Sequence, residues 1–240
     1  MQPGVTDYWR KPLLVAARVN ERFDILPKIA GSEHLHPLDL LRFAKTVIVF
    51  FIPFKKNLQE ENKKGKFPCR NWGSAYQETN TLIEALSKEI REFLERNGYG
   101  SELTPATHNF DHVKLKARWS HKHLGYIAGL GRFGVNAQLI TPSGCAGRLG
   151  SLVTEADLGD HPLVGADELC LHKLGKECLQ CLKRCPVKAL AIDGIDRRRC
   201  WIRLKLNIKH SKALTGLNET THVCGKCVVE LPCSIDPVFP

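Results

Sequence analysis

Residues 178–186 read CLQCLKRCP, a C-x2-C-x3-C spacing in which a proline directly follows the last cysteine. Eight of the ten cysteines in the 240-residue chain fall in its last third: Cys170, Cys178, Cys181, Cys185, Cys200, Cys224, Cys227 and Cys233. Cys69 and Cys145 lie apart from this group. Free cysteines that only fill space in a core are not grouped in sequence, so the spacing predicts metal or redox chemistry in this part of the chain.

The run C-x2-C-x3-C-P is the tail of the C-x2-C-x2-C-x3-C-P sequence with which bacterial ferredoxins hold 4Fe–4S clusters. In two-cluster ferredoxins the cysteine before the proline binds the other cluster, which ties the two halves together. Applied here, this rule predicts a first thiol set of Cys170, Cys178, Cys181 and Cys233. It predicts a second thiol set of Cys185, Cys200, Cys224 and Cys227. Each set has the four thiolates that one cluster needs, so the sequence predicts two 4Fe–4S clusters.

Two other interpretations of the cysteines are open. Zinc also binds paired C-x2-C motifs, and Cys178, Cys181, Cys224 and Cys227 would complete a four-thiolate zinc site. That site would leave the other four grouped cysteines without a role and would not account for the proline. Plain buried thiols are the second alternative, and the grouping of the cysteines disfavours them.

Composition limits the class of protein. With 43% hydrophobic and 25% charged residues, the chain has the composition of a globular protein rather than a disordered chain or a coiled coil. The longest apolar run, at residues 47–54, is too short to span a membrane. Residues 1–12 lack the apolar segment of a signal peptide. We therefore expect a cytoplasmic protein that contacts no membrane.

The formal net charge of +10 has two interpretations. The basic segment at residues 197–212 could bind nucleic acid or an acidic electron-transfer partner. Alternatively, the positive charge compensates the negative charge of thiolate-bound clusters. Compensation is the simpler interpretation, and we expect no binding to DNA.

Local patterns predict sheet and helix in the first part of the chain. Residues 46–54 (TVIVFFIPF) are β-branched, aromatic and apolar, which predicts a buried central strand. Residues 56–73 are polar, contain glycine and proline, and predict a loop. Residues 74–97 predict a helix that ends before Gly98. Its apolar face would consist of Leu82, Ile83, Leu86, Ile90, Phe93 and Leu94.

A second helix is predicted at about residues 116–130, and a strand at residues 149–154. Sheet combined with amphipathic helices predicts an α/β (α+β) fold class. The rise in cysteine content after residue 160 predicts a domain boundary there. We expect an α/β domain at residues 1–160 and a helical cluster-binding domain at residues 161–240.

A longer series of motifs runs through the chain. Residues 128–136 read AGLGRFGVN, residues 139–142 read LITP, and residues 147–158 end in LVTEADL. With the C-x2-C-x3-C-P run, the RRC at residues 198–200 and the late C-x2-C, this order of motifs resembles the epoxyqueuosine reductase family. In that family the corresponding stretch has the form AGLG-x-x-G-x-N, followed by LITP. The resemblance covers most of the chain.

The resemblance implies a nitroreductase-like domain followed by a dicluster ferredoxin-like domain. It implies a cobalamin beside one cluster, an electron donor of the ferredoxin or flavodoxin type, and reduction of an epoxide on a tRNA base in queuosine biosynthesis. A small-molecule substrate is the alternative to tRNA, since related cores occur in reductive dehalogenases. By position, the resemblance assigns five residues to cofactor binding: Gly129, Leu130, Gly131, Gly134 and Asn136. As a lone motif these glycines would more commonly form a tight turn.

The chain departs from the family at the residues of catalysis. The family's acidic proton donor lies in a D-S-A-P segment, whereas residues 107–112 of this chain read THNFDH and offer Asp111 instead. Of the family's R-Y-A-L-G-R-D-Y-H, Tyr76 is matched but Gln77 stands at the histidine position. Family enzymes commonly continue into a helical repeat domain that lies beyond the length of this chain. We expect Asp111 or Tyr76 to be the proton donor.

Further residues could carry chemistry. Four histidines crowd one stretch: His108, His112, His121 and His123. They could donate a proton or ligate cobalt, although a position at the surface or beside a ligand is more typical of histidines outside a recognised metal motif. Cys145 could likewise be reactive or ligate a metal, but a small turn residue is the more common role.

Two rival functions stay open. A non-catalytic electron carrier would explain the missing catalytic landmarks, with the first part of the chain as a docking platform. The retained AGLG-to-LVTEADL segment argues against it, because a carrier needs only the last third of the chain. An RNA-binding zinc protein is the third and weakest interpretation.

Overall fold

The structure is a computed structural model that describes residues 7–105 and 110–237. Within these ranges the strands are β1 (Leu13–Arg18), β2 (Thr46–Pro53), β3 (Ser101–Leu103), β4 (Phe110–Asp111), β5 (Lys116–Ala117), β6 (Arg132–Phe133), β7 (Leu139–Ile140), β8 (Gly147–Thr154), β9 (Leu190–Ala191) and β10 (Gly194–Ile195). The α-helices are α1 (Leu26–Ile29), α2 (Pro37–Leu40), α3 (Lys56–Lys63), α4 (Arg70–Arg96), α5 (His121–Ile127), α6 (Gln180–Arg184) and α7 (Arg197–His210). Short 3-10 helices lie at Glu21–Ile25 and Lys212–Leu214.

The central sheet has four antiparallel strands in the order β1-β2-β8-β3. Val49 of β2 pairs with Val15 on one side and with Ser151 on the other. All residues of β2 are buried, as expected for a central strand that is covered on both faces. The buried strand predicted at residues 46–54 is confirmed. So is the strand predicted at residues 149–154, although β8 begins earlier.

Hydrophobic layers lie on both faces of this sheet. Successive side chains of a strand point to opposite faces, so the even-numbered residues 48–52 of β2 pack with Ile83 and Leu94 of α4. The odd-numbered residues 47–51 pack with Leu124 of α5. The result is the mixed α/β architecture that the sequence predicts.

Helix α4 confirms the helix predicted at residues 74–97, although it begins at Arg70. Ile83 is 1% exposed and faces the sheet as predicted. Phe93 does not: it is 60% exposed, and its place on the predicted apolar face is wrong. Leu94, the next residue, is 5% exposed and packs on the sheet, so Phe93 is exposed because it points away from the sheet, about 100° around the helix from Leu94.

The predicted loop at residues 56–73 is wrong, because α3 and the first turn of α4 occupy much of it. Helix α3 buries amide side chains. Gln59 Nε2 donates to the carbonyl oxygen of Phe54 (3.2 Å), and Asn62 Nδ2 donates to that of Cys224 (3.0 Å). A helix that buries hydrogen-bonded amides lacks the apolar stripe by which helices are recognised in sequence.

The helix predicted at residues 116–130 is much shorter in the structure. Its first residues form β5, which pairs with β4, and only His121–Ile127 are helical. Gly129 has a φ of 73°, which a continuing right-handed helix does not allow. Apolar residues recur at helical spacing through both β5 and α5, so the sequence does not show where the strand ends and the helix begins.

The last third of the chain consists of α6, α7, the β9–β10 hairpin and irregular segments. It shares a hydrophobic cluster with the first part, in which Leu214 and Val229 pack with Trp72. The four-stranded sheet lies entirely before residue 155. The nitroreductase-like and ferredoxin-like descriptions and the boundary at residue 160 remain predictions. Among the described helices, none combines the length and the apolar character that crossing a bilayer requires.

Candidate functional site

The first thiol set surrounds one small cavity. The residues that line it include Cys170, Cys178, Cys181 and Cys233, together with Gly134, Val135 and Asn136. Burial raises the pKa of Cys181 to about 11, with further contributions from the nearby sulfurs of Cys233, Cys170 and Cys178. Thiols held this close in a buried place lose their protons readily only to a metal, since its positive charge offsets the repulsion.

The second thiol set gathers around the start of α7. The Asp196 side chain caps this helix by accepting a backbone N–H hydrogen bond (2.9 Å), which fixes the turn that carries Cys200. Burial, followed by the neighbouring Cys224 and Cys185, raises the pKa of Cys200 to about 11. Burial and the sulfurs of the other three members also raise the pKa of Cys227. These mutual effects place the four sulfurs in one neighbourhood.

Helix α6 directs adjacent cysteines of the CLQCLKRCP run to different sets. Cys181 lies within α6 and lines the cavity of the first set. Cys185 follows the helix and lies near Cys200 and Cys227. The backbone N–H of Ala189 donates to Cys185 Sγ (3.2 Å). The structure therefore groups the thiols as the ferredoxin spacing predicts, while their role as iron ligands stays a prediction.

The zinc alternative requires Cys178 and Cys181 to converge with Cys224 and Cys227. The structure instead places the first pair in the cavity of the first thiol set and the second pair with the rest of the second set. Within the described residues, no group of three or more His, Cys, Asp or Glu side chains is placed to hold a single metal ion. A four-iron cluster is larger than one ion, so its thiolates lie farther apart than four zinc ligands.

The glycine loop at residues 129–136 packs against the chain itself. A Cβ on Gly131 would lie 2.2 Å from the carbonyl oxygen of Ile140, and one on Gly129 would lie 2.5 Å from Pro162 Cβ. The Leu130 side chain is fully buried in the main core. Contacts within the fold therefore account for these three residues, and their assignment to a bound cofactor stays a prediction.

The far end of the same loop has a different position. Gly134 and Asn136 line the cavity of the first thiol set. The sequence assigns both to cofactor binding, and the structure places them beside the predicted cluster ligands rather than beside the larger cavities described next. Arg132 and Phe133, in the middle of the motif, instead line the cavity of about 650 Å³ described next.

A cavity of about 310 Å³ lies directly beside the second thiol set. Its wall includes Cys200 as well as Tyr76, Lys122, Trp201 and His222. A second cavity of about 650 Å³ adjoins it, and the two share Lys122, Ala137, Ile195 and Arg197. Cys200 and Tyr76 are predicted from the sequence, whereas Lys122, Trp201 and Arg197 come from distant parts of the chain and belong to no motif that could have identified them as lining residues.

The larger cavity has a cationic wall. Its basic lining residues are Lys122, Arg132, Lys173 and Arg197, and Glu168 is the one carboxylate among its described lining residues. Lys122 Nζ donates to the carbonyl oxygen of Ala137 (3.0 Å). Burial, together with the charge of Arg197, lowers the pKa of Lys122 to about 8. Such a wall suits a phosphate or another anionic group.

The two predicted proton donors lie in different surroundings. Tyr76 lines the smaller cavity, and the guanidinium carbon of Arg148 lies 4.2 Å from its ring centroid. Burial lowers the pKa of Arg148, and its hydrogen bond to Tyr76 opposes this effect. Asp111 accepts hydrogen bonds from the backbone N–H groups of Lys114 and Val113 (2.7 Å each), which lower its pKa. A carboxyl group with a lowered pKa holds its proton poorly, so the geometry favours Tyr76.

The clustered histidines have separate environments. His108 lies outside the described residues. His112 contacts the ring of Trp201, with the centroids 6.2 Å apart. His123 lines the larger cavity and lies against Phe133. His121 is buried and does not lie at the surface, and a supporting role beside a ligand stays a prediction for it.

Comparisons with known proteins agree with the resemblance found in the motifs. No protein-family model matches the chain. An epoxyqueuosine reductase of Lactococcus garvieae is 29% identical over 178 residues, which cover 70% of this chain and 45% of the relative. This chain therefore spans less than half the length of that relative.

Solved structures of epoxyqueuosine reductases share the fold. The Streptococcus thermophilus protein matches with a TM-score of 0.56 and 20% identity, covering 95% of this chain and 64% of that chain. The Bacillus subtilis protein matches with a TM-score of 0.59 and 15% identity, covering 96% and 63%. An epoxyqueuosine reductase bound to an epoxyqueuosine-modified tRNA stem loop matches with a TM-score of 0.58 and 16% identity, covering 97% and 63%. The predicted resemblance to this group of proteins is confirmed.

Proposed function

We propose that this chain is an iron–sulfur oxidoreductase of the epoxyqueuosine reductase type, which removes the oxygen of an epoxide on a modified tRNA base. One observation carries the proposal: the wall of a single cavity contains both Cys200 of the second thiol set and Tyr76 beside Arg148. An electron-delivering group and a proton donor would thus serve the same small space. The similarity in sequence and fold to epoxyqueuosine reductases supports the same assignment.

The thiol sets fit two 4Fe–4S clusters, and the joined cavities offer room beside them for a cobalamin. When bound, these groups would supply single electrons and a strongly reducing cobalt centre. The side chains that would hold the clusters are the eight grouped cysteines. Lys122 and Arg197, which border both cavities, would bind phosphate groups of the cobalamin or of the RNA.

The placement of the thiol sets supports an order of electron flow. Cys200 of the second set borders the cavity of about 310 Å³, which we take as the substrate cavity. Cys178 of the first set lines a separate open cavity of about 640 Å³, together with Lys176 and Lys183. An electron donor of the ferredoxin or flavodoxin type would therefore deliver electrons to the first set, and the second set would face the substrate.

Removal of the epoxide oxygen consumes two electrons and two protons and releases the oxygen as water. Tyr76 lines the cavity, and its hydroxyl would donate one of these protons. The guanidinium of Arg148 lies against the Tyr76 ring and would offset the negative charge that develops as the proton leaves. The carboxylate of Asp111 is held by backbone N–H groups and is less suited to this step.

Anaerobic spectroscopy and turnover test the proposal together. The protein is purified without oxygen, its clusters are reconstituted, and cob(II)alamin is added while the cobalt EPR spectrum is recorded with and without protein. We expect a shifted cobalt signal, retention of cobalt through gel filtration, and conversion of an epoxyqueuosine-containing RNA stem loop under dithionite. Two intact clusters with an unchanged cobalt signal and no conversion would overturn the enzymatic function and leave an electron carrier. Zinc without iron would overturn both.

A further inference from the structure

Cys145 belongs to neither thiol set but lies against one of their members. It is 5% exposed, and its Sγ lies 3.9 Å from Cys233 Sγ. Backbone hydrogen bonds hold the two segments together: Cys145 N–H donates to the carbonyl oxygen of Cys233 (2.9 Å), and Ala146 N–H to that of Ser234 (3.2 Å). The proximity of the two sulfurs is therefore fixed by the backbone and not by flexible side chains alone.

Asn136 orients Cys145 from the other side. Its Nδ2 donates to Cys145 Sγ (3.5 Å) and to the main-chain carbonyl oxygen of Cys227 (3.3 Å). Its Oδ1 accepts a hydrogen bond from Gln138 N–H (3.1 Å). Asn136 is 2% exposed, so both ends of its amide are committed in a buried place. An amide held in this way can donate to the Cys145 sulfur but cannot accept from it through Nδ2.

We propose that Asn136 and Cys145 form a hydrogen-bond relay to Cys233 that raises the reduction potential of the cluster held by the first thiol set. The inference rests on the proposed function, because it requires a cluster that Cys233 ligates. An iron-bound thiolate carries no proton, so in the contact between the two sulfurs Cys145 is the donor. Cys145 acts on the cluster through Cys233 and is therefore a positioning residue.

The direction of the effect follows from charge. Reduction adds one negative charge to the cluster and its thiolates, and a hydrogen bond to a ligating sulfur stabilises that charge. The potential of the first cluster is therefore higher with the S–H donor than without it. In the second thiol set, Asn136 contacts a main-chain oxygen of Cys227 rather than its sulfur. Because the sulfur of Cys145 contacts that of Cys233, we expect the shift in the potential of the first cluster to exceed any shift in that of the second.

Redox titration followed by EPR tests the relay in the cluster-loaded protein. Cys145→Ala removes the donor, and Cys145→Ser keeps a hydroxyl donor of similar size. We expect Cys145→Ala to lower the ratio of reduced to oxidised first cluster at least threefold at a fixed ambient potential. A threefold change corresponds to a reduction potential that is about 28 mV lower, at 59 mV per tenfold change for a one-electron couple. Cys145→Ser should stay close to the wild-type potential.

Two controls separate the relay from loss of structure. Cys69→Ala removes the other ungrouped cysteine and should leave both potentials unchanged. Repeating the titration in a Cys200→Ala background, which keeps the first set intact, assigns the shifted couple to the first cluster. Unchanged potential in Cys145→Ala would overturn the relay, as would equal shifts in the alanine and serine variants or a shift confined to the second cluster. Failure of the wild-type protein to take up iron would instead overturn the proposed function, and the relay with it.

Discussion

The buried imidazole of His121 joins three segments of the chain through one line of hydrogen bonds. Trp119 Nε1 donates to Ser151 Oγ (2.9 Å), which lies 2.7 Å from His121 Nδ1. His121 Nε2 lies 3.0 Å from the carbonyl oxygen of Pro105. Because a carbonyl oxygen only accepts, Nε2 carries the hydrogen and Nδ1 accepts from Ser151. The neutral imidazole thus satisfies every partner. Protonation would put a hydrogen on Nδ1 and break the hydrogen bond that Nδ1 accepts from Ser151.

This arrangement predicts a loss of stability in acid. Burial lowers the pKa of His121 from 6.5 to about 4. Between these values the unfolded chain binds a proton that the folded chain does not, so the free energy of unfolding decreases as the pH falls from about 6.5 toward about 4. The loss from this residue is about 2 kcal/mol by pH 5. Urea unfolding at pH 7 and pH 5 measures the total loss, to which His123 also contributes because burial lowers its pKa to about 3. The share of His121 is the part that its variant removes.

His121→Gln should lower stability at pH 7 by about 1–3 kcal/mol, because the buried hydrogen bonds are lost. The variant should nevertheless lose less stability than the wild type between pH 7 and pH 5. His161→Gln, at an exposed histidine, is the matched control and should preserve the wild-type difference. An unchanged pH dependence in His121→Gln would show that this imidazole is not the acid-sensitive group.

Tyr76 is the residue on which the proposed chemistry depends most directly. Tyr76→Phe keeps the ring beside Arg148 but removes the hydroxyl. We expect turnover of the epoxide substrate to fall about 100-fold or more, as is typical when a general acid is lost. The cluster absorbance should not change. Asp111→Asn is the control and should turn over at the wild-type rate; the reverse pattern would assign proton donation to Asp111.

At the scale of elements, a helix or strand is predictable from the sequence when the side chains that it buries are apolar, and is missed when they are polar. Strand β2 and helix α4 bury apolar side chains at regular spacing, so their existence is predictable. Helix α3 buries Gln59 and Asn62, which form hydrogen bonds with Glu230 and Cys224 in the last third of the chain, so its sequence is typical of a loop. Helix α5 is bounded by tertiary pairing of β4 with β5, which the sequence does not reveal.

Helix α4 offers a test of its packing on the sheet. Ile83 is 1% exposed and contacts the face formed by β2 and β8, whereas Phe93 on the same helix is 60% exposed. Ile83→Ala should lower the free energy of unfolding by about 2–5 kcal/mol, since it removes buried methyl groups and leaves a cavity. Phe93→Ala should change it by about 0.5 kcal/mol or less. Urea denaturation measures both, and similar losses in the two variants would contradict the observed packing.

At the scale of the whole molecule, the candidate site is only partly readable from the sequence. The cysteines can be recognised because cluster ligation requires them at fixed spacings in the sequence. The substrate cavity has no such spacing, since Tyr76, Lys122 and Arg197 meet only when the sheet and the last third of the chain pack together. Asn136 belongs to a recognisable motif, yet its bonds to Cys145 and to the Cys227 segment depend entirely on tertiary structure.

The separation of the thiol sets predicts that each cluster can be lost without the other. The wild-type protein should bind about eight iron atoms, as two 4Fe–4S clusters require. Cys178→Ala removes a member of the first set and Cys224→Ala a member of the second, so each should retain about four iron atoms. Cys69→Ser changes a cysteine that packs near Trp72, outside both sets, and should retain all of them.

Iron and sulfide analysis, together with EPR of the reduced protein, distinguishes this arrangement from a shared site. Two independent sets predict that Cys178→Ala and Cys224→Ala each keep the EPR signal of one cluster, and that the two residual signals differ. A single zinc site built from Cys178, Cys181, Cys224 and Cys227 would instead lose its only metal in both variants. The two outcomes cannot coincide, because in the structure Cys178 and Cys224 lie in different thiol sets.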